Sequence, residues 1–340
     1  MIRNASFAAI RGTAPIGIFG IVLIASMILW LPEYYLNIAV KTLFYVGVAL
    51  AWNLVGGIAG QFSLGHSLFI GLGALLPAAM LLKSGINIWV GMGLAALVSA
   101  LLGVAMSWIA FRFRLGHLFF ALITLAFGEL GLLLVLGTEY LGAASGLFLP
   151  TGDSAFESVR LNFTGQSFLT LLAGALLAFG VCAWVVRTKL GYYLGAIRNN
   201  EDAAQAIGID LFKYKTIAMV LSAILSSILG TLYARYSGFV DPNVYASPLI
   251  IVEIILFTVI GGLGTLWGPV LGAVLMVPLG EVLRGSFGDT LPGLHFVIYG
   301  LLIIVVIRLL PDGLIKSLRC DPARGAQISA PRRAAAKADI

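Results

Sequence analysis

Long apolar stretches without a charged residue limit what this chain can fold into. Residues Ile16–Leu31 and Ile217–Leu232 are two such stretches. A helix that crosses the hydrocarbon core of a bilayer needs about 20 mostly apolar residues, so each stretch approaches the length of one span. A closed β-barrel would instead need short segments in which polar and apolar residues alternate strictly, and these stretches show no such alternation. The pattern therefore predicts membrane-spanning α-helices.

The overall composition agrees with a membrane protein. Of the 340 residues, 60% are hydrophobic and 11% are charged, whereas a soluble domain is about half apolar and about a quarter charged. A single soluble core of this length has too little interior volume to bury so many apolar side chains. We therefore predict an all-α polytopic membrane protein with about ten transmembrane helices.

The predicted spans divide the chain into three parts. Residues 1–14 form a short N-terminal segment, residues 15–310 form the transmembrane domain, and residues 311–340 form a basic tail that we expect to be disordered. The spans are predicted, from the apolar pattern, near residues 15–31, 38–55, 67–83, 88–110, 117–137, 167–186, 216–236, 248–263, 266–283 and 293–310.

Lys and Arg residues gather in alternate loops, which predicts how the helices are oriented. In membrane proteins the short cytoplasmic loops collect these residues. Here they lie in the N-terminal segment, after the fourth span, in the loop at 187–215 and in the tail, whereas residues 138–166 carry one arginine against three acidic residues. The pattern predicts an even number of spans, with both termini in the cytoplasm. It also accounts for the net charge of +6 without a nucleic-acid partner.

Glycine residues recur at a spacing that lets helices approach each other closely. Gly264, Gly268 and Gly272 fall at every fourth position, and Gly56 and Gly60 have the same spacing. We predict that these glycines form flat helix-packing faces. The faces would pack either inside this chain or against a partner chain.

Two glycine-rich segments also resemble each other. Residues 55–60 read Val-Gly-Gly-Ile-Ala-Gly and residues 260–264 read Ile-Gly-Gly-Leu-Gly, and each segment follows an apolar span. Two similar halves would suit a transporter. Chance similarity between glycine-rich membrane segments is the alternative.

The charged loop at 187–215 interrupts the apolar pattern and contains a predicted short helix. An asparagine at 199 or 200 can cap its N-terminus, two acidic residues would interact favourably with the helix dipole in the first turn, and alanines favour the helix until a glycine ends it. Such a helix, with small side chains and a smooth face, could fit a groove on another protein. An ordinary loop helix without a partner is the alternative. The residues that carry this prediction are Asn200, Glu201, Asp202, Ala203, Ala204 and Gly208.

Polar side chains inside the spans are candidates for a translocation path. Ionisable residues within a bilayer are costly and often functional, and Glu129 and Glu253 are the clearest examples. Gln61, Ser63 and His66 lie beside the glycine-rich stretch after the second span, where irregular backbone must be buried in protein or line a wet cavity. We expect these five residues to line or gate the path. For the glutamates, a structural contact between two helices is the alternative.

The sequence lacks the motifs of common nucleotide-dependent and zinc enzymes. It contains neither a Gly-x-x-x-x-Gly-Lys-Ser/Thr phosphate-binding motif nor a His-Glu-x-x-His zinc motif. We therefore predict no enzymatic activity, no metal site and no cofactor in this chain.

Four segments, taken in order, resemble the M-type permease subunit of branched-chain amino acid ABC importers. The resemblance covers about residues 38–310, and its matching segments are 53–66, 124–129, 191–209 and 252–272. It implies a permease subunit that forms the translocation path for branched-chain or related amino acids in the bacterial inner membrane. The helix at 199–208 would then couple an ATPase to the spans.

The resemblance also implies a set of partners. They are a second homologous permease subunit, two cytoplasmic ATPase subunits, which bind the ATP, a periplasmic substrate-binding protein, and membrane lipid. The alternative is an ion-coupled secondary transporter of a small polar solute, in which Glu129 and Glu253 would be the ion sites.

Overall fold

The computed structural model describes residues 32–112, 116–149 and 163–287, together with the single residues 300, 301, 304, 308, 314 and 315. The helices are α1 (Glu33–Asn53), α2 (His66–Ser84), α3 (Ile88–Arg112), α4 (His117–Leu136), α5 (Phe163–Arg187), α6 (Lys189–Asn199), α7 (Glu201–Ala206), α8 (Leu211–Ser237), α9 (Pro242–Tyr245), α10 (Pro248–Gly261) and α11 (Gly268–Phe287). A π-helical turn at Leu54–Ile58 extends α1, two 3-10 turns at Glu139–Leu141 and Ala143–Ser145 follow α4, and β1 (Leu147–Phe148) pairs antiparallel with β2 (Phe239–Val240).

The predicted class of polytopic helical membrane protein is confirmed. Within the described ranges, 8 helices are long and apolar enough to cross a membrane. They match the predicted spans from 38–55 to 266–283, and their ends differ from the predicted ends by a few residues. The predicted spans at 15–31 and 293–310, and the segments 1–14 and 311–340, lie outside the described residues except for a few single positions. The total of ten spans therefore stays a prediction.

The loops fall at two ends of the helix bundle. At one end, called the α7 end, lie the π-helical turn, helices α6 and α7, and the loop between α10 and α11. At the opposite end, called the hairpin end, lies the β1–β2 pair, and there the Ser84 and Tyr140 hydroxyls are 2.9 Å apart. The loops that the charge pattern assigned to opposite sides of a membrane therefore lie at opposite ends of the bundle.

Helix α8 lies at the centre of the bundle, where it packs against α1, α2, α3 and α5. Small residues bring its backbone close to that of α2. A Cβ atom added to Gly73 would lie 2.0 Å from the carbonyl oxygen of Ser227, and one added to Gly230 would lie 2.4 Å from that of Ile70. The Thr231 hydroxyl donates a hydrogen bond to the Gly73 carbonyl at 2.6 Å. Close backbone contact of this kind stabilises helix pairs in lipid, where no hydrophobic force drives them together.

The predicted glycine faces are only partly helical. Gly268 and Gly272 lie on α11, but Gly264 lies in the loop before it with a φ of +73°, and Gly60 follows the π-helical turn with a φ of +72°. The prediction of two continuous glycine faces is therefore wrong, because these two glycines adopt a left-handed conformation that ends or precedes a helix. Gly56 lies within the π-helical turn, beneath the Trp52 indole.

Candidate coupling and translocation site

Helix α7 has the start and the stop that the sequence predicts. The side-chain oxygen of Asn200 accepts a hydrogen bond from the Ala203 N–H at 3.0 Å and caps the helix. After Ala206 the chain reaches Gly208, whose φ is +86°, a conformation that glycine adopts at little cost. The helix is therefore set by its own local sequence.

The residues on either side of α7 are also helical, so the prediction of one long loop is wrong in this respect. Helix α6 fills positions 189–199, and α8 starts at Leu211 with Asp210 as its cap. The charges of the segment interrupt the apolar pattern, but Leu194 and Ile197 are both buried and lie three residues apart on one face. Helix α6 is thus an amphipathic surface helix rather than a loop.

Helix α7 has an inner and an outer face. Ala204 is 2% exposed and faces its own chain, whereas Asp202, Ala203 and Gln205 are exposed. Ile207, just after the helix, is 76% exposed. Ala203 and Ala204 were predicted to serve alike on the coupling helix, but the fold turns only Ala203 outward.

Glu201 joins α7 to two other elements of the bundle. One of its carboxylate oxygens accepts a hydrogen bond from the Gln61 side-chain amide at 2.9 Å, and the other lies 2.7 Å from the Lys215 ammonium on α8. The Lys215 side chain is 6% exposed. The Glu201 side chain is 30% exposed, so Lys215 is the buried partner, and removing Glu201 would leave the Lys215 charge less well compensated. Glu201 therefore links α7 directly to α8 and to the loop at 59–65.

A cavity of about 740 Å³ opens beside this ion pair. It is lined by the end of α3, by α7 and by the start of α8, and it includes Trp108, Arg112 and Gln205 in addition to the ion pair. Lys215 is not among the site residues that the sequence predicts. A lysine one turn into an apolar helix was the available signal.

The two glycine-rich segments meet beneath α6. The Asn53 side chain donates a hydrogen bond to the Thr265 carbonyl at 2.9 Å and accepts one from the Gly264 N–H at 2.9 Å. Arg198 lies against both segments, because a Cβ added to Gly264 would be 2.0 Å from its Nη1 atom and one added to Gly60 would be 2.8 Å from its Cγ atom. The two similar segments thus lie side by side and both contain a left-handed glycine, Gly60 and Gly264, but residues 54–58 form a π-helical turn whereas Gly262 has a φ of +126°.

His66 holds the start of α2 to the centre of the bundle. Its Nδ1 atom lies 3.0 Å from the Ser63 hydroxyl, and its Nε2 atom lies 2.7 Å from the Ser222 hydroxyl on α8. Ser222 donates its own proton to the Ala51 carbonyl, so it accepts from a protonated Nε2, and Nδ1 accepts from Ser63. Ser63 and His66 are 0% exposed and Gln61 is 2% exposed. The polar side chains of the irregular stretch are thus buried in protein, one of the two environments that a bilayer permits, whereas Phe62 is 40% exposed.

Replacing His66 with leucine is expected to destabilise the protein by about 1–3 kcal/mol, because the buried Ser63 hydroxyl loses its acceptor. Thermal unfolding in detergent would measure this as a melting temperature lower by several degrees. Ser107→Ala is the matched control, since the buried Ser107 hydroxyl makes no hydrogen bond to any described residue. Equal melting temperatures for the two variants would contradict the role of His66.

The two predicted membrane glutamates do not lie in one site. Glu253 on α10 accepts a hydrogen bond from the Tyr45 hydroxyl on α1, so it connects two helices. Glu129 lies on α4 and is partly buried. Its neighbour Gly128 packs against the start of α2, with a Cβ position 3.1 Å from the Ser67 hydroxyl oxygen.

Comparison with known proteins places this arrangement in context. The family model described as branched-chain amino acid transport system / permease component matches residues 34–307. The chain is 29% identical over 83% of its length to the high-affinity branched-chain amino acid transport system permease protein LivM of Salmonella typhimurium, of which 70% is covered. A probable branched-chain amino acid transport permease protein of Methanocaldococcus jannaschii is 24% identical over 86% of this chain and 93% of its own. The autoinducer 2 import system permease protein LsrC of Klebsiella pneumoniae is 31% identical over 72% of this chain and 77% of its own. No solved structure matches the chain significantly.

Proposed function

Since this chain belongs to the family of permease components of branched-chain amino acid transport systems, we propose that it forms half of the translocation path of an ABC importer, driven through α7. It is a multi-pass inner-membrane protein. The other half of the path is a second, homologous permease. Two cytoplasmic ATPase subunits bind the ATP, and a periplasmic binding protein delivers the substrate.

The contacts of Glu201 carry the proposal. Helix α7 presents an outward face with Ala203 and, through Glu201, is joined to α8 and to the loop at 59–65. An ATPase that docks on this face would move α7 as the ATPase closes. Glu201 would pass the movement to the central helix, which packs against four other spans.

The orientation follows from the same proposal. The α7 end faces the cytoplasm, where the ATPases are, and the hairpin end faces the periplasm. This agrees with the excess of Lys and Arg in the loops of the α7 end. With spans at 15–31 and 293–310 the chain has ten spans and both termini lie in the cytoplasm.

Branched-chain amino acids are the proposed substrates. The description of the family and the name of the Salmonella relative both support them. The Klebsiella relative is named for the import of a different solute, so uptake has to be measured with several ligands. Leucine, isoleucine and valine are the first to test.

Reconstitution tests the proposed function. The chain is placed in liposomes with its genomic neighbours, namely the second permease, the ATPases and the binding protein, and uptake of radiolabelled L-leucine is measured with and without ATP. ATP-dependent accumulation is expected. Accumulation by the chain alone, under an ion gradient and without ATP, would instead identify an ion-coupled secondary transporter.

Replacing Ala203 with tryptophan is expected to reduce uptake about tenfold, an effect that corresponds to about 1.4 kcal/mol, because the large side chain prevents α7 from seating on the ATPase. ATP hydrolysis should continue. Gly93→Trp is the matched control, because it adds the same side chain on α3, where a Cβ would meet open space. If Ala203→Trp retains normal coupling, α7 does not dock on the ATPase.

A further inference from the structure

The charged side chains of Lys41, Glu253 and Glu281 lie within the spans towards the hairpin end, alongside α1. Lys41 on α1 forms an ion pair with Glu281 on α11, and Tyr45 on α1 donates a hydrogen bond to Glu253 on α10. Lys41 and Tyr45 are four residues apart, so they lie on one face of α1, about 6 Å apart along its axis. Two carboxylates and one ammonium, from three helices, are thus gathered along one side of α1.

This cluster is not sealed inside the described part of the chain. The Lys41 and Glu281 side chains are 30% and 24% exposed. Contact with lipid is costly for a charged residue inside a span, and such residues usually face a bundle interior or a water-filled cavity instead. The exposed side of the ion pair therefore faces a wet path or a partner chain, not hydrocarbon.

The surroundings of the charges are aromatic and apolar. Phe44, next to Tyr45, stacks on Tyr233 with ring centroids 4.2 Å apart, and the Tyr45 ring packs edge-on against Phe257. Val252 and Val282, the chain neighbours of the two glutamates, are 49% and 48% exposed. Tyr45 thus joins Glu253 to a set of packed aromatic rings, and each glutamate is followed or preceded in the chain by an exposed valine.

We propose that Lys41, Glu253 and Glu281 form a site for the charged head group of a free α-amino acid, an inference that rests on the proposed function. The Lys41 ammonium would donate hydrogen bonds to the α-carboxylate, and the glutamates would accept them from the α-ammonium. The apolar substrate side chain would lie against the exposed valines.

The ion pair also suits a site that must release its ligand. An entering amino acid breaks the ion pair between Lys41 and Glu281 and forms one contact with each of them. Breaking the pair costs part of the free energy that the new contacts contribute, so the amino acid binds less tightly. Conduction requires a site that is favourable enough to enter and weak enough to leave. A neutral solute, such as a sugar, would gain nothing from separating the two charges.

The double variant K41M/E281M separates this site from a merely structural ion pair. The Lys41–Glu281 pair is partly buried, and replacing an ion pair that is withdrawn from water by apolar residues of similar volume is often neutral or stabilising, so the variant importer is expected to assemble and to hydrolyse ATP. Its ATP-driven uptake of radiolabelled L-leucine is expected to fall about tenfold. Uptake within about twofold of the wild type would overturn the proposal.

Glu253→Gln, which keeps an acceptor for Tyr45, should raise the KM of uptake more than it lowers the maximal rate, and an unchanged KM would count against the proposal.

A binding measurement tests the proposed site separately from the proposed transport function. Millimolar L-leucine should raise the melting temperature of the assembled wild-type importer without its binding protein, since a ligand that binds only the folded state stabilises it. Leucinamide, which lacks the carboxylate, and 4-methylpentanoate, which lacks the ammonium, should not raise the melting temperature of the wild-type importer. Leucine should not raise the melting temperature of the K41M/E281M importer. If leucine stabilises the importer but is not transported, the proposed function fails and the site stands. If leucine is transported but neither stabilises the importer nor depends on Lys41 and Glu281, the site fails.

Discussion

Replacing Glu201 with methionine is expected to uncouple ATP hydrolysis from uptake. The carboxylate is the group that joins α7 both to Lys215 on α8 and to Gln61 in the loop at 59–65. Without it, a movement of α7 is no longer transmitted to the spans, and we expect leucine uptake to fall at least about tenfold while ATP hydrolysis continues. Both rates would be measured on the same reconstituted importer.

Asp202→Asn is the matched control for Glu201. Asp202 is the next residue of the same helix and is exposed, so its charge can be removed without breaking a contact between α7 and the bundle. We expect normal coupling in this variant. Coupling lost equally in both variants would show that the acidic face of α7, rather than the link through Glu201, is what matters.

A second substitution separates transmission from stability. Glu201→Met removes an acidic partner of the buried Lys215, which destabilises the start of α8. Adding Lys215→Met removes that charge and should restore the melting temperature, but it should not restore uptake. Recovery of uptake together with stability would mean that the ion pair only maintains the fold.

Replacing Gly261 with alanine is expected to have the largest effect on stability. A Cβ at this position would lie 1.7 Å from the carbonyl oxygen of Gly268 and 2.9 Å from the backbone nitrogen of Gly272. Helices α10 and α11 would have to separate, and since both obstacles are backbone atoms, no rotamer change relieves the clash. Overpacking costs typically 1–3 kcal/mol, and we expect about 3 kcal/mol or more here.

The yield of monodisperse protein and its melting temperature in detergent would measure this effect. Gly180→Ala is the matched control, because Gly180 lies within a span and its Cβ would meet open space. It should be as stable as the wild type or slightly more stable, since alanine is the better helix former. If Gly261→Ala were equally stable, α10 and α11 would not approach as closely as described.

The predicted spans agree with the observed helices because apolar length is a local property. Each of the eight helices carries enough apolar residues to be recognised alone. The ends of the helices were less predictable. Helix α8 starts at Leu211 and carries Lys213 and Lys215 in its first turns, and these charges placed the predicted start at 216.

The candidate site was predicted in its parts but not in its connections. The cap at Asn200 and the stop at Gly208 depend on neighbouring residues, so the sequence predicts them correctly. Nothing local indicates that Glu201 would contact Gln61, which is 140 positions away. The left-handed conformation of Gly60 and Gly264 was not predicted, because a spacing of four residues between glycines also fits a continuous helix.

The sequence alone determined that the chain crosses a membrane as many helices and where a short capped helix interrupts them. Both properties follow from the composition and order of adjacent residues, through the cost of placing polar groups in lipid and the local hydrogen bonds of a helix cap. Only the tertiary structure decided which face of α7 points outward and that Glu201 and Lys215 pair. It also decided that Lys41 and Glu281 meet across 240 positions. Such contacts depend on how distant helices pack, and small residues at a few positions, such as Gly73 and Gly230, set that packing.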